Sequence, residues 1–221
     1  TTIAGQQSGH DVAALAGDGD PAMDGAHQPG HAERPANGTL SFAATGGSQT
    51  ILTSNTISSL DTFGTPVWSP DGTKIAFASK TATSGAADGV ASGSYNIWIM
   101  NADGTSKTCL ACNTDPGLDS IQPVFSPDGT WIYFASKTSL GGSLNGTPEG
   151  SYNIWKIQTD GSNKTALTSE TASGYDSWEP AISPDGNAVA YSSLAKIGAT
   201  TPSSYNIWKM NNAGASKTSL T

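Results

Sequence analysis

The chain has 221 residues, with 18 acidic against 10 basic side chains and a net charge of −8. That balance lacks the lysine and arginine a phosphate-backbone binder needs, so no nucleic-acid partner is expected. No run approaches the roughly 18 to 20 apolar residues of a spanning helix, so no direct membrane span is expected either.

The first 38 residues read as an irregular arm. Thr2-Ile3-Ala4 and Val12 to Ala16 are candidate strands, with Gln6 to Asp11 in place of a turn. Gly17 to Gly38 has no apolar periodicity and reads as a long loop. All three histidines, His10, His27 and His31, lie in this arm, near Met23. Imidazole and thioether suit copper or zinc. Gln28-Pro29-Gly30 breaks any helix between the last two, however, so solvated loop histidines are the plainer expectation. Asp18-Gly19-Asp20 and Asp24-Gly25 resemble a calcium loop, but Ala22 stands at an alternating ligand position and the closing acid is missing. Thr39 to Phe42 and Thr50 to Thr53, separated by Gly46-Gly47, read as the third and fourth strands of a degenerate repeat over 39–53.

Three clear repeats follow, over 64–110, 121–168 and 178–221. Ser69-Pro70-Asp71-Gly72 returns at Ser126 to Gly129 and at Ser183 to Gly186, 57 residues apart each time. Tyr95-Asn96-Ile97-Trp98 returns at Tyr152 to Trp155 and at Tyr205 to Trp208. Lys107-Thr108, Lys164-Thr165 and Lys217-Thr218 each precede a terminal leucine, at Leu110, Leu167 and Leu220. Each copy reads as four short strands. A first strand opens at Pro66, Pro123 or Pro180 and ends in Ser-Pro-Asp-Gly, whose proline, aspartate and glycine suit a tight turn. A second strand covers Lys74 to Ser79 or its equivalents, and a third covers Tyr95 to Met100, apolar on both faces. A fourth carries the Lys-Thr pair.

A four-stranded sheet that is apolar on both faces needs cover on both sides. Radial repetition supplies it, which predicts an all-β fold, a β-propeller of about four blades with the first degenerate. Trp98, Trp155 and Trp208 then form the structural core between blades, each contributing roughly 4 to 6 kcal/mol as an upper bound. The three lysines fall on the outermost strand, where charge discourages edge-to-edge pairing.

Candidate site residues come from the connections into each first strand. Asp61, Asp119 and Asp176 precede those strands, and Gln122 and Glu179 precede the strand prolines. In a propeller these positions open on the central channel, where carboxylates suit a cation, calcium above all, or a basic segment of a partner. The plainer reading is aspartates capping turns between blades. Cys109 and Cys112 form Cys-Leu-Ala-Cys with no following histidine and no second pair, which disfavours haem attachment and closed zinc. A local disulfide is expected in an exported chain, with free thiols as the alternative. No Gly-x-Ser-x-Gly elbow is present, and no catalytic residue, resident cofactor or metal is assigned.

The strand and turn from Pro66 to Phe77, the Ile97 to Gly104 strand and turn, and their returns from Pro123 and Pro180 resemble the TolB-type β-propeller repeats, relatives of the WD-repeat family. The resemblance covers residues 37 to 221. It implies a docking or sensing platform in the periplasm or outside the cell, although the same repeats serve as propellers of prolyl-oligopeptidase-like enzymes. Two departures stand out. Such propellers usually carry six or more blades, and the links from second to third strand are long here (Lys80 to Ser94, Lys137 to Ser151, Ser193 to Ser204). Four blades closing alone, a larger assembly and pairing with another subunit all stay open. A start at Thr1 fits a processed mature protein or an arbitrary boundary. The expectation is therefore a non-enzymatic, exported interaction scaffold acting with an envelope or membrane-protein complex. The alternatives are a self-assembling extracellular structural protein, forming a homo-oligomer by strand exchange of its N-terminal arm, and a ligand or cation sensor at the channel.

Overall fold

The computed structural model describes residues 40–41, 50–53, 62–80, 93–113, 116–138, 151–171, 173–195 and 204–221. The readings placed on the N-terminal arm, on Asp61 and on most of the three long links lie outside the described residues. Every regular element among the described residues is a β-strand.

The chain first forms a two-stranded antiparallel piece, β1 (Leu40–Ser41) and β2 (Thr50–Ile51). Three four-stranded antiparallel meanders follow. The first blade is β3 (Thr62–Trp68), β4 (Lys74–Ser79), β5 (Asn96–Asn101) and β6 (Thr108–Ala111). The second is β7 (Ser120–Phe125), β8 (Trp131–Ser136), β9 (Asn153–Gln158) and β10 (Thr165–Ala166). The third is β11 (Ser177–Ile182), β12 (Ala188–Ser193), β13 (Asn206–Asn211) and β14 (Thr218–Ser219).

The Ser-Pro-Asp-Gly turns show why the second strand starts where it does. Gly72 donates to the Ser69 carbonyl at 2.9 Å and sits at φ 69°, a conformation glycine adopts without cost. The Asp71 carboxylate accepts from the Ser69 hydroxyl and from the Thr73 amide, and the Ser69 oxygen in turn accepts from the Lys74 amide. Asp128 and Asp185 repeat the arrangement.

First strands are longer than their prolines imply. They begin at Thr62, Ser120 and Ser177, and each carries a β-bulge before the proline. Gln122 and Glu179 take the left-handed bulge position, at φ 56° and 52°. A bulge lets a proline sit in a strand without breaking the ladder.

The first and second blades each bury their trailing face against the leading face of the next. Ile97, Ile99 and Leu110 of the first blade pack with Ile132, Phe134, Trp155 and Ile157 of the second. Ile154 and Leu167 of the second pack with Val189, Tyr191, Trp208 and Met210 of the third. Trp155 and Trp208 are buried in these two seams. Ahead of the first blade, Leu52 packs on Ile75, Phe77, Trp98 and Met100. It occupies the place that Leu110 and Leu167 take in later seams. A Cβ on Gly104 would meet the Leu52 carbonyl at 3.2 Å, and one on Gly214 would meet the Leu167 carbonyl at 2.8 Å. The β1–β2 pair precedes the first blade in the chain, and Leu52 packs on that blade's leading face.

Lys164, unlike the exposed Lys217, departs from the edge-guard expectation. Lys164 folds back over the Trp155 ring, 5.1 Å from its centroid, and donates to the Thr138 hydroxyl. Burial there lowers its pKa to about 8.

Candidate functional site

Asp119 and Asp176 hold neighbouring blades together. The Tyr95 amide of the first blade donates to Asp119 Oδ1 at 2.8 Å, and the Tyr95 carbonyl accepts from the Ser120 amide at 2.8 Å. Tyr152 repeats both bonds with Asp176 and Ser177, at 2.8 and 2.9 Å. A third bond completes each staple. The Leu118 amide donates to Ser94 Oγ and the Tyr175 amide to Ser151 Oγ, both at 2.9 Å. The Tyr152 hydroxyl also reaches Asp119 Oδ2 at 3.5 Å. Burial, followed by the charges of Asp119 and Asp176, raises the pKa of that phenol. Both carboxylates thus accept a backbone amide from the preceding blade across a seam.

Gln122 and Glu179 are brought together. The Glu179 amide donates to Gln122 Oε1 at 3.0 Å, and the Ser192 hydroxyl lies 3.4 Å from Glu179 Oε2. These two side chains join Trp178, Ser192 and Tyr205 around a shallow groove of about 350 Å³. The groove is mainly apolar. The Trp178 indole donates to the Tyr205 hydroxyl at 3.0 Å, and the other side of the indole stacks on Tyr152, with centroids 4.3 Å apart. Trp178 and Tyr205 were not among the residues singled out in the sequence. The repeat of Tyr95, Tyr152 and Tyr205 was visible there, but not which of the three is left uncovered.

A second feature is the row of Ser-Pro-Asp-Gly turns. Pro70 approaches Gly129 and Pro127 approaches Gly186, so consecutive turns touch. Between them lie two notches of about 360 and 290 Å³. In the second notch Lys156 lies 4.5 Å from the Trp131 ring centroid and donates to the Asn212 carbonyl of the third blade at 2.8 Å. Hydrogen bonds from serine and then threonine hold Asp71 at a pKa of about 2. Bonds from serine and asparagine do the same for Asp185. These turns are firmly anionic.

Cys109 and Cys112 are bridged. The bridge lies beside Asn113, which is fully buried. Its side-chain amide donates to the Leu118 carbonyl at 2.9 Å, and its backbone amide donates to Asn96 Oδ1 at 2.6 Å. Among the described residues no three His, Cys, Asp or Glu side chains come together as a metal cluster. No helix among them is long and apolar enough to cross a membrane.

Four-stranded meanders, stacked face to face and stapled through the entry to each first strand, define a β-propeller. No known family profile matches the chain. It is 30% identical over 124 residues to the uncharacterised protein Atu1656 of Agrobacterium fabrum, covering 56% of this chain and 33% of that one. It is 28% identical over 118 residues to the Tol-Pal system protein TolB of Gluconobacter oxydans, covering 53% of this chain and 22% of that one. A solved structure described as a TolB from Agrobacterium tumefaciens matches with a TM-score of 0.54 at 25% identity, covering 80% of this chain and 54% of that one. TolB from Acinetobacter baumannii has the same fold, with a TM-score of 0.53 at 19% identity over 80% of this chain and 36% of that one. The fold is that of a β-propeller, and the chain is similar to TolB proteins in sequence and in structure. It spans 33% and 22% of the length of the two sequence relatives.

Proposed function

We propose that the chain is a non-enzymatic protein-interaction module of the cell envelope, exported and docking on a membrane-protein complex of the Tol-Pal kind. The observation that carries this reading is how the repeat uses its polar groups. The carboxylates of Asp119 and Asp176 each accept a backbone amide across a seam, and the turn aspartates accept from their own turns. The side chains most suited to chemistry are thus committed to rigidity. What they hold in place is a surface, with Gln122, Glu179 and Trp178 around one groove. Similarity to the Gluconobacter TolB supports the envelope setting and the kind of partner.

The test is calorimetric titration of the purified chain with the soluble Pal protein of Gluconobacter oxydans, the partner system named for its TolB relative. Saturable binding that Glu179→Lys weakens at least tenfold, by about 1.4 kcal/mol, supports the proposal. No heat up to about 200 µM overturns it. Titration with calcium in the same cell addresses the sensor alternative. A calcium heat removed by Glu179→Gln would favour the sensor over the scaffold.

A further inference from the structure

The seam between the second and third blades differs from the one before it at a single place. Strand register sets Tyr133 opposite Lys156, and Trp131 lies two residues before Tyr133, so the three side chains share one face of the sheet. The first blade has Lys74, Ala76 and Ile99 at these positions. There Ala76 and Ile99 are buried in the apolar core of the seam. In the second blade the trio instead lines the notch of about 290 Å³ beside the Ser-Pro-Asp-Gly turns.

Tyr133 is the residue that points to a ligand. It is 2% exposed, it belongs to the apolar cluster with Ile154, Val189 and Tyr191, and it also lines the notch. Burial, and then the charge of Asp128, raises the pKa of its phenol, which puts the hydroxyl at the turn end of the seam. Among the described residues that hydroxyl has no hydrogen-bond partner. Phenylalanine would pack the seam equally well, and a buried polar group without a partner is costly, so the oxygen needs another reason to be there. The walls around it are already fixed. Asn187 donates to Asp185 through its backbone and side-chain amides, and the Asn212 side chain donates to the Gly186 carbonyl. The Lys156 ammonium lies over the Trp131 ring and gives one of its three N–H groups to the Asn212 carbonyl.

Charge narrows the occupant. The carboxylates of Asp128 and Asp185 oppose an anion, and a cation would meet Lys156 already lying over the indole. A neutral molecule rich in hydroxyls suits what is left. Its hydroxyls accept from Lys156, donate to a carboxylate oxygen and exchange a bond with the Tyr133 phenol, while its C–H groups rest on half-buried Trp131. The volume lies at the bottom of the range of roughly 300 to 1,000 Å³ for small-molecule sites, which fits one ring. We propose that the notch between the second and third blades binds a neutral sugar ring, with Tyr133, Lys156 and Asp185 as its polar contacts. The proposal is independent of the envelope partner, because it uses none of Gln122, Glu179 and Trp178.

The test is NMR titration of the purified chain with D-glucose, D-galactose and N-acetyl-D-glucosamine. It is read at the Trp131 indole and the Gly186 and Asn212 amides, with the Gly72 amide of the first turn as the control. The expected result is saturable shifts at the first three and none at Gly72, from at least one sugar, with a Kd below about 10 mM. Tyr133→Phe keeps the ring in the seam, so its urea midpoint should not fall, yet it should weaken binding about fivefold or more. Lys156→Met should weaken it by a similar factor. No shift from any of the three sugars up to about 50 mM means that the notch holds solvent alone and overturns the proposal. So does sugar binding that Tyr133→Phe leaves unchanged. Saturable shifts with inorganic phosphate or calcium chloride, and none with sugar, would overturn it in favour of an ion.

Discussion

Asp119 offers the sharpest test of how the blades are held. Asp119→Ala removes the acceptor at 2.8 Å from the Tyr95 amide, at a half-buried seam. A hydrogen bond to a charged group contributes about 1.5 to 3 kcal/mol, and the weaker approach of the Tyr152 hydroxyl at 3.5 Å adds little. Asp119→Asn keeps an oxygen in the same place without the charge, so its loss should stay below about 1 kcal/mol. Urea titration followed by tryptophan fluorescence gives the two stabilities. Amide exchange gives the local readout, because only the alanine variant should expose the Tyr95 amide. Equal losses for the two variants, or a Tyr95 amide that stays protected in Asp119→Ala, would refute the staple as described.

Four further outcomes follow from the same geometry. Asp71 and Asp185 should titrate near pH 2 by carbon-detected NMR; their pKa lies below the unfolded value, so their contribution is present above about pH 4 and is lost as pH falls through 2. Lys164 works in the opposite sense. Its folded pKa of about 8 lies below the unfolded 10.5, so the burial penalty is full below pH 8 and fades between pH 8 and 10, a slope that Lys164→Met should abolish in denaturation curves. The Trp155 indole nitrogen is buried without a hydrogen-bond partner, so Trp155→Phe should cost no more than about 1 kcal/mol while Trp155→Ala costs about 3 to 5 in the same assay. Replacing both Cys109 and Cys112 by serine should cost at most about 2 kcal/mol by urea midpoint, because the bridge closes only a short loop.

Much of the architecture was legible because its signals are local. Ser-Pro-Asp-Gly names its own turn, and Tyr-Asn-Ile-Trp alternates in a way only a doubly covered strand tolerates. The start of each first strand was hidden, because Pro123 and Pro180 look like strand openers when a bulge precedes them. Lys164 was misread for a related reason. A charge at an outer position looks like an edge guard until the ammonium is seen lying over Trp155. The role of Asp119 and Asp176 was open in the sequence because their partners lie 24 residues back, in another blade. The Trp178–Tyr205 groove was invisible for a deeper reason. Three tyrosines occupy equivalent places in the sequence, and only the order of stacking decides which one faces solvent.

The short reach of those staples has a consequence for how such chains change over time. Every seam joins a segment to the one immediately after it, and none depends on how many segments the chain holds. Inserting or deleting one whole 57-residue period therefore leaves all the other junctions with their partners. Blade number can drift by duplication and loss while each blade keeps its chemistry, so length is a poor guide to kinship among proteins assembled this way.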